Sequence, residues 1–387
     1  MPSNSNTAIH NTSQGAHVVL GVSGGVDSAV AGLLLRRQGY KVTGLFMKNW
    51  EEDDEDGYCA AEKDLQEAKQ VCEKLAIPLK TVNFASEYWE HVFQHFLSEY
   101  RANRTPNPDV LCNKEIKFKV FLEYALSLGA DKIATGHYAG VREQDGIYYL
   151  TKAADIEKDQ TYFLHTLGQK ELRYTLFPLT TLTKNEIRDI AKSAGLPNFD
   201  RKDSTGICFI GERRFKFFLA RYLSTEPGDI LTLDGEYKGR HDGLAFYTIG
   251  QRQGLGVGGP GGPWYVVDKD ISQNVLRVVE GENHPALFSD GLIAQDISWV
   301  AESQPGLPMR CTARTRHRQP EQACMVETSD NAGLRVIFDE PQRAITPGQS
   351  VVFYQDELCL GGGIIEQAIK SVPNENNNII RENAHTG

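Results

Sequence analysis

Cysteine is scarce in this chain, with seven residues in 387, an odd number at low density. This count argues against the disulfide framework of a small secreted protein, so any important cysteine should act chemically. No apolar run reaches the roughly 18 residues needed to cross a bilayer. Residues 1–16 contain neither lysine nor arginine. Such a start lacks the features of a signal or transit peptide, and we expect a cytoplasmic protein without a membrane partner.

Basic residues are also in the minority, with 41 Lys and Arg against 51 Asp and Glu, for a net charge of -10. An acidic balance ordinarily argues against nucleic acid, because Lys and Arg supply most phosphate binding. The charges are segregated, however. Residues 51–56 are all acidic, whereas four arginines lie within nine residues: Arg310, Arg314, Arg316 and Arg318. Local fields decide what is attracted, so the net charge does not decide against a nucleic-acid partner.

The first half of the chain alternates strand and helix patterns. Apolar strand-like runs occupy residues 17–22, 41–47, 79–84 and 132–135, and helical periodicity occupies residues 27–38, 60–75, 86–100 and 114–128. Strands that alternate with helices predict a doubly wound parallel α/β domain, here over residues 17–214. Its ligand should bind at the carboxyl ends of the strands.

The character of the sequence changes after about residue 215. Residues 254–263 hold six glycines and two prolines, and short β-rich segments follow from residue 292. These features predict a small central domain over residues 215–291 and a C-terminal β-barrel over residues 292–371. Residues 1–16 and 372–387 are polar and are predicted to be disordered.

A glycine loop should follow the first strand. It reads Gly21, Val22, Ser23, Gly24, Gly25, Val26, Asp27 and Ser28. Adjacent glycines at a helix N-terminus let backbone N–H groups approach an anion. The loop has neither the lysine of a Walker A motif nor a Gly-x-Gly-x-x-Gly pattern. Its serines and backbone could hold pyrophosphate while Asp27 orients Mg²⁺; the alternative is an ordinary glycine turn capped by serine or aspartate.

Two cysteines stand in unusual surroundings. Cys112 lies in a proline-constrained loop that leads into a helix, near Lys114, and Cys208 lies among small and polar residues. A thiol near a helix N-terminus and a lysine should be partly ionised. The alternative for both is a buried, unreactive cysteine. Cys72 has the setting of a core residue, and no role is argued for the rest, which are Cys59, Cys311, Cys324 and Cys359.

Further motifs follow the glycine loop in a fixed order. They are Asn107-Pro108-Asp109 with Cys112-Asn113, Ala134-Thr135-Gly136-His137-Tyr138, Lys158-Asp159-Gln160, Asp203-Ser204-Thr205-Gly206-Ile207-Cys208, Ile249-Gly250-Gln251-Arg252, Thr346-Pro347-Gly348-Gln349 and Leu360-Gly361-Gly362-Gly363. In this order they resemble the tRNA-specific 2-thiouridylases of the pyrophosphate-loop ATP pyrophosphatase superfamily. The resemblance covers residues from about 17 to 368. It implies an adenine nucleotide α-hydrolase-like first domain.

The resemblance also implies a reaction, the ATP-dependent 2-thiolation of the wobble uridine, U34, of tRNA. Adenylation activates the C2 oxygen, and sulfur transfer then yields 2-thiouridine, AMP and pyrophosphate. The outer sulfur of a persulfide is more oxidised than the sulfide-level sulfur that the product needs. A second thiol must therefore supply electrons and close a disulfide. By resemblance Cys208 carries the persulfide, Cys112 is its partner in a transient disulfide, and Asp109 moves protons at the base.

The resemblance assigns binding residues as well. Met47 and Gly136 join the glycine loop at ATP. The residues implied at tRNA are Asn107, Pro108, Asp109, His137, Lys158, Asp159, Gln160, Arg316, His317 and Gln349. Three have simpler explanations: His137 as a structural histidine, Lys158 as a solvated charge, and Arg316 as part of a solubilising edge strand. Arg314, Arg316 and Arg318 would share one face of a strand.

ATP with Mg²⁺ is therefore the expected substrate, and tRNA and a persulfide donor or relay protein are the expected partners of a monomer. Asp109 stands where a cysteine would complete Cys-x-x-Cys with Cys112, so we expect no permanent metal or iron–sulfur cluster. Two other functions compete. One is a pyrophosphate-loop synthetase that uses ammonia or an amino acid, in which the two loop cysteines would be idle. The other is a non-catalytic tRNA-binding scaffold, against which the intact glycine loop counts.

Overall fold

The computed structural model describes residues 15–50, 60–202, 215–258, 261–330 and 333–370. Cys208 and its neighbours in 203–214, Cys59, the acidic run 51–56, and both predicted disordered termini, apart from residues 15 and 16, lie outside the described residues. None of the helices in these ranges is both long and apolar enough to span a membrane.

The first sheet has five parallel strands, in the order β3-β2-β1-β4-β7. Val18, Val19 and Leu20 of its central strand are completely or almost completely buried, as expected where helices cover both faces. The predicted doubly wound domain is confirmed. The strands are β1 (His17–Gly21), β2 (Lys41–Lys48), β3 (Leu79–Asn83), β4 (Lys132–Ala134) and β7 (Thr175–Leu176).

Helices connect and cover these strands. Two of the helical stretches are long because a π-helical segment continues them: Trp89–Phe93 joins α3 to α4, and Cys112–Val120 joins α5 to α6. The helices are α1 (Val26–Arg37), α2 (Ala60–Lys74), α3 (Ala85–Tyr88), α4 (Gln94–Arg101), α5 (Pro108–Leu111), α6 (Phe121–Ser127), α7 (Thr161–Leu164), α8 (Gln169–Tyr174), α9 (Lys184–Ser193) and α10 (Phe215–Ala220), with 3₁₀ turns at Leu244–Phe246 and Pro285–Leu287.

A second, four-stranded sheet follows α10, in the order β10-β11-β8-β9. It is mixed, since β11 pairs in parallel with β8 while the other pairs are antiparallel. Ile230, Val266, Leu276 and Val278 form its small core. Its strands are β8 (Gly228–Thr232), β9 (Tyr237–His241), β10 (Trp264–Asp270) and β11 (Val275–Glu280).

Six antiparallel strands then form a closed barrel. The order is β12-β15-β14-β13-β16-β17, and β12 closes it by pairing with β17 as well as with β15. The predicted C-terminal barrel is confirmed. The strands are β12 (Phe288–Trp299), β13 (Met309–Arg314), β14 (Gln322–Thr328), β15 (Leu334–Arg343), β16 (Ser350–Gln355) and β17 (Leu358–Ile369).

A hairpin from the first half of the chain joins this barrel. Its strands, β5 (Gly140–Gln144) and β6 (Ile147–Thr151), extend the barrel sheet because β6 pairs with β17. The largest hydrophobic core therefore crosses the boundary between the halves. It contains, among others, Cys112, Phe121, Leu150, Tyr162, Phe218, Tyr354 and Cys359. The helical segment that carries Cys112 is thus packed between the parallel sheet and the barrel.

Candidate active site

The glycine loop lies at the carboxyl end of β1 and runs into α1. Gly24 has φ of +76°, a backbone conformation that favours glycine. The Ser23 N–H donates to Ser28 Oγ at 3.3 Å, and Ser28 Oγ donates to the Gly25 carbonyl at 3.1 Å. In the part of the chain that the structure describes, no side chain caps α1 at Gly25. Its first amides are therefore arranged to bind an external anion.

Two predicted nucleotide residues pack against this loop. A Cβ at Gly136 would lie 2.7 Å from the Ser28 nitrogen, so only glycine allows the turn after β4 to approach α1 this closely. Met47 reaches the start of the loop, with its Cε 3.6 Å from the position of a Cβ on Gly21. The structure thus brings Met47, Gly136 and the glycine loop together at one edge of the parallel sheet.

The carboxylate of Asp27 is held by two side chains that sequence reasoning missed. Lys184 Nζ, at the start of α9, lies 2.8 and 2.9 Å from the two carboxylate oxygens. Tyr138 Oη donates to Oδ1 at 2.8 Å. No local sequence signal links Asp27 to a lysine 157 positions away.

Asn49 is a second residue that the motifs did not indicate. It follows β2, two residues after Met47, and only 2% of it is exposed. Neither polar atom of its amide has a hydrogen-bond partner among the described residues. A buried amide without hydrogen-bond partners costs free energy and therefore marks an unusual residue. Because the mark depends on burial, only the folded structure shows it.

Cys112 begins the π-helical segment that continues α5. Asn107 starts this helix by accepting the Asp109 N–H on its side chain at 3.2 Å, and Pro108 fits the first helical position. The Cys112 side chain is completely buried in the shared core. In this state the thiol is therefore shielded from solvent, as the alternative interpretation of a buried cysteine expected, while Asp109 is half-buried at the preceding turn.

The loop before this helix is fastened to the barrel. Gln349 Nε2 donates to the carbonyls of Thr105 at 2.7 Å and Pro106 at 3.3 Å. The Thr105 N–H donates to the Pro347 carbonyl at 3.0 Å. Gln349, predicted at tRNA, thus holds the backbone that leads to Asn107, Asp109 and Cys112.

The segment 158–160 is linked to the nucleotide loop through Tyr138. Gln160 Oε1 accepts the Tyr138 N–H at 2.9 Å, and the Gln160 N–H donates to the Tyr138 carbonyl at 2.9 Å. Lys158 is half-buried, and its N–H donates to Asp155. Tyr138 therefore contacts both the predicted tRNA segment and Asp27 of the glycine loop.

Asp159 and His137 occupy less exposed positions than surface tRNA contacts would. Asp159 is 1% exposed and accepts hydrogen bonds from Thr161 Oγ1 at 2.7 Å and from the Ala153 N–H at 3.2 Å. Burial raises the pKa of its carboxyl group. His137 pairs through Nδ1 with Thr135 Oγ1 at 2.8 Å, and burial lowers the pKa of its imidazole well below the usual range.

The predicted strand face with three arginines is wrong, because β13 ends at Arg314 and Arg314 is itself buried. Its guanidinium contacts Asp159 at 3.4 Å and Glu321 at 3.0 Å. Arg316 follows in a turn, where Nη2 donates to the carbonyls of Ile249 at 2.8 Å and Ala344 at 3.0 Å and to Thr346 Oγ1 at 3.1 Å. Arg316 therefore joins the central domain to the barrel.

His317 lies beside Arg316 and faces the first domain. Its Nε2 lies 3.0 Å from the Asp159 carbonyl, and its ring centroid lies 4.4 Å from that of Phe163. Burial lowers the pKa of the His317 imidazole. Within the described ranges, no group of three or more His, Cys, Asp or Glu side chains could hold a metal ion.

Comparison with known proteins assigns this architecture to a family. Three family models match, described as a tRNA methyl transferase HUP domain over residues 16–212, a tRNA methyl transferase PRC-barrel domain over residues 216–280 and an aminomethyltransferase beta-barrel domain over residues 289–365. Proteins named tRNA-specific 2-thiouridylase MnmA align along nearly all of the chain.

Three such relatives illustrate the similarity. The protein from Methylococcus capsulatus is 61% identical over 90% of this chain and 96% of its own. Those from Francisella philomiragia and Alkaliphilus oremlandii are 57% and 56% identical, over 91% of this chain and 99% and 98% of theirs. The chain belongs to the tRNA-specific 2-thiouridylase family and is a sulfurtransferase.

Proposed function

We propose that this sulfurtransferase replaces the C2 oxygen of the wobble uridine, U34, of tRNA with sulfur and converts ATP to AMP and pyrophosphate. One observation carries the proposal: an uncapped glycine loop adjoins the helical segment of Asp109 and Cys112. The position of a Cβ on Gly21 is 3.5 Å from Phe121 Cε1, on the same continuous helical stretch as Cys112. A nucleotide bound at the loop would therefore lie close to the segment that carries the thiol.

In the first step the uridine O2 attacks the α-phosphorus of ATP, the bond to the β-phosphate breaks, and pyrophosphate leaves. Loop amides and the N-terminus of α1 would hold the departing phosphates. Asp27 offers the carboxylate ligand that Mg²⁺ takes beside substrate phosphates, and the ion would neutralise charge on pyrophosphate. Met47 and Gly136 would line the nucleotide.

In the second step the outer sulfur of a Cys208 persulfide bonds to the activated C2, and AMP departs with the former O2. The Cys112 thiolate attacks the inner sulfur, which breaks the persulfide bond and closes a Cys112–Cys208 disulfide. An external thiol then reduces the disulfide, and a persulfide donor protein reloads Cys208. Because Cys112 is buried, its attack requires a local displacement when tRNA binds.

The remaining assignments concern tRNA. We propose Asp109 as the group that moves protons at the base, with Asn107 and Pro108 beside it. His137, Lys158, Asp159, Gln160, Arg316, His317 and Gln349 would form or support the tRNA surface. The hydrogen bonds of Gln160 and Gln349 favour a supporting role for both, since their amides hold backbone groups of neighbouring segments.

The test incubates purified protein with tRNA, ATP, Mg²⁺ and a persulfide donor, and measures 2-thiouridine by nucleoside mass spectrometry together with AMP and pyrophosphate. Cys208→Ala should abolish 2-thiouridine while pyrophosphate release persists, because the nucleotide loop is a separate segment. Cys112→Ala should block the reductive step.

Cys72→Ala is the matched control. Cys72 is a buried cysteine on α2, and burial raises its pKa to about 11, so we expect normal thiolation without it. Normal thiolation by Cys208→Ala would disprove the persulfide assignment. ADP and phosphate as products would disprove the pyrophosphatase reaction and would leave the scaffold and synthetase alternatives to be tested.

A further inference from the structure

Both the backbone and the side chain of Lys184 are held in place at its ion pair with Asp27. Lys184 is 9% exposed and stands at the first position of α9, where a capping box of Thr183 and Glu186 sets the helix start. Its backbone N–H donates to Asp155 Oδ2 at 2.8 Å. Its Nζ therefore reaches Asp27 from an anchored backbone and contacts both carboxylate oxygens, at 2.8 and 2.9 Å.

Asp27 creates an electrostatic problem for the proposed nucleotide site. It is the second residue of α1 and the acidic residue of the first turn, beside the amides that would bind phosphate. Without a bound Mg²⁺, a carboxylate at this place repels a polyphosphate, and the loop has no lysine of its own. Arg201, which lies near Gly24, is already paired with Asp64 and Glu67. Among the described residues, Lys184 is the cation that pairs with Asp27.

We propose that Lys184 is a positioning residue that enables the glycine loop to accept ATP by neutralising Asp27 and fixing its carboxylate. This inference rests on the proposed ATP site. Unlike the lysine of a Walker loop, which contacts the phosphates, this lysine comes from a helix late in the domain and offsets the charge of the loop's own carboxylate. It acts through Asp27, and Tyr138 completes the fixation by donating to Oδ1 at 2.8 Å.

The experiment measures ATP affinity by calorimetry in EDTA, so that no metal contributes to binding. Lys184→Met should raise the Kd about tenfold or more, because the negative charge of the carboxylate is then no longer offset beside the phosphates. Adding Asp27→Asn to Lys184→Met should restore the Kd to within about threefold of the parent protein, because the repelling charge is gone. Lys192→Met removes an exposed lysine from the same helix and should leave the Kd unchanged.

The thermal unfolding of each variant is also measured, to show which variants fold. Lys184→Gln is tested beside Lys184→Met in case the methionine variant does not fold. ATP affinity equal to that of the parent protein in a folded Lys184→Met or Lys184→Gln variant overturns the proposal. A double variant as weak as Lys184→Met also overturns it, because the lysine would then act on the phosphates directly. A parent protein that binds no ATP contradicts the proposed function itself, an outcome distinct from both.

Discussion

Replacing Gly136 with alanine tests whether the close contact between the turn after β4 and α1 is required for the nucleotide site. The added Cβ would lie 2.7 Å from the Ser28 nitrogen, 2.9 Å from the Asp27 carbonyl carbon and 3.1 Å from the Ser28 Cα. All three atoms belong to the backbone of the first turn of α1. No side-chain rotation can therefore relieve the overlap.

The size of the effect follows from these distances. Ordinary van der Waals contact begins at 3.4 Å, so α1 and the turn must separate by about 0.7 Å. Overpacking of this kind costs about 1–3 kcal/mol of unfolding free energy. The same shift would stretch hydrogen bonds from the loop amides to a phosphate beyond about 3.2 Å. Losing one charged hydrogen bond weakens ATP binding about tenfold or more.

Urea denaturation and calorimetric ATP titration of Gly136→Ala measure the two effects separately. Gly306→Ala is the control, because nothing lies within 4 Å of a Cβ at Gly306 and its change in stability should be within about 0.5 kcal/mol. A Gly136→Ala protein with the stability and ATP affinity of the parent would refute the argument that this contact shapes the nucleotide site.

Two further predictions concern the barrel side and the core. Arg316 is half-buried and hydrogen-bonds through Nη2 to Ile249, Ala344 and Thr346. If its guanidinium also meets a phosphate, Arg316→Met should weaken all substrate tRNAs equally and lower the salt slope of binding by roughly one. A slope equal to that of the exposed control Arg318→Met would indicate a structural role for Arg316. Burial lowers the pKa of His165 to about 4, so the unfolded chain binds the proton first and stability falls as the pH drops from 6.5 towards 4. Urea titrations at pH 7 and pH 5 should show a smaller loss in His165→Asn, and an unchanged loss would contradict this.

Local patterns predicted much of the fold because the elements they describe are local. The apolar run at residues 17–22 became the buried β1, and the helical periodicity at residues 27–38 became α1, Val26–Arg37. The attachment of the hairpin β5–β6 to the barrel was missed because its partner strand lies about 200 residues later, as Leu150 opposite Cys359 illustrates. Strand pairing at that separation leaves no trace in a window of ten or fifteen residues.

The candidate site also has parts that local sequence predicted and parts that depend on residues far away in the sequence. The glycine loop is one contiguous segment, so its motif predicted both its position at the end of β1 and its contact with α1. The ion pair of Asp27 depends on Lys184, and the attachment of the loop before Cys112 depends on Gln349, both distant in sequence from their partners. Asp159, implied at tRNA by resemblance, is a buried acceptor, and its burial could not be read from the local motif.

Several residues implied at tRNA lie where the barrel meets the other domains, and this location changes how their variants must be interpreted. Gln349 bonds the backbone before Asn107, Arg316 bonds Ile249 of the central domain, and His317 bonds Asp159 of the first domain. The contacts of Gln349 and His317 hold the barrel against the first domain, and that of Arg316 holds the central domain against the barrel. We therefore expect that removing one of these side chains would lower the rate of sulfur transfer even where it touches no RNA. A direct phosphate contact is distinguished by the salt dependence of tRNA binding, which a change in domain orientation does not carry.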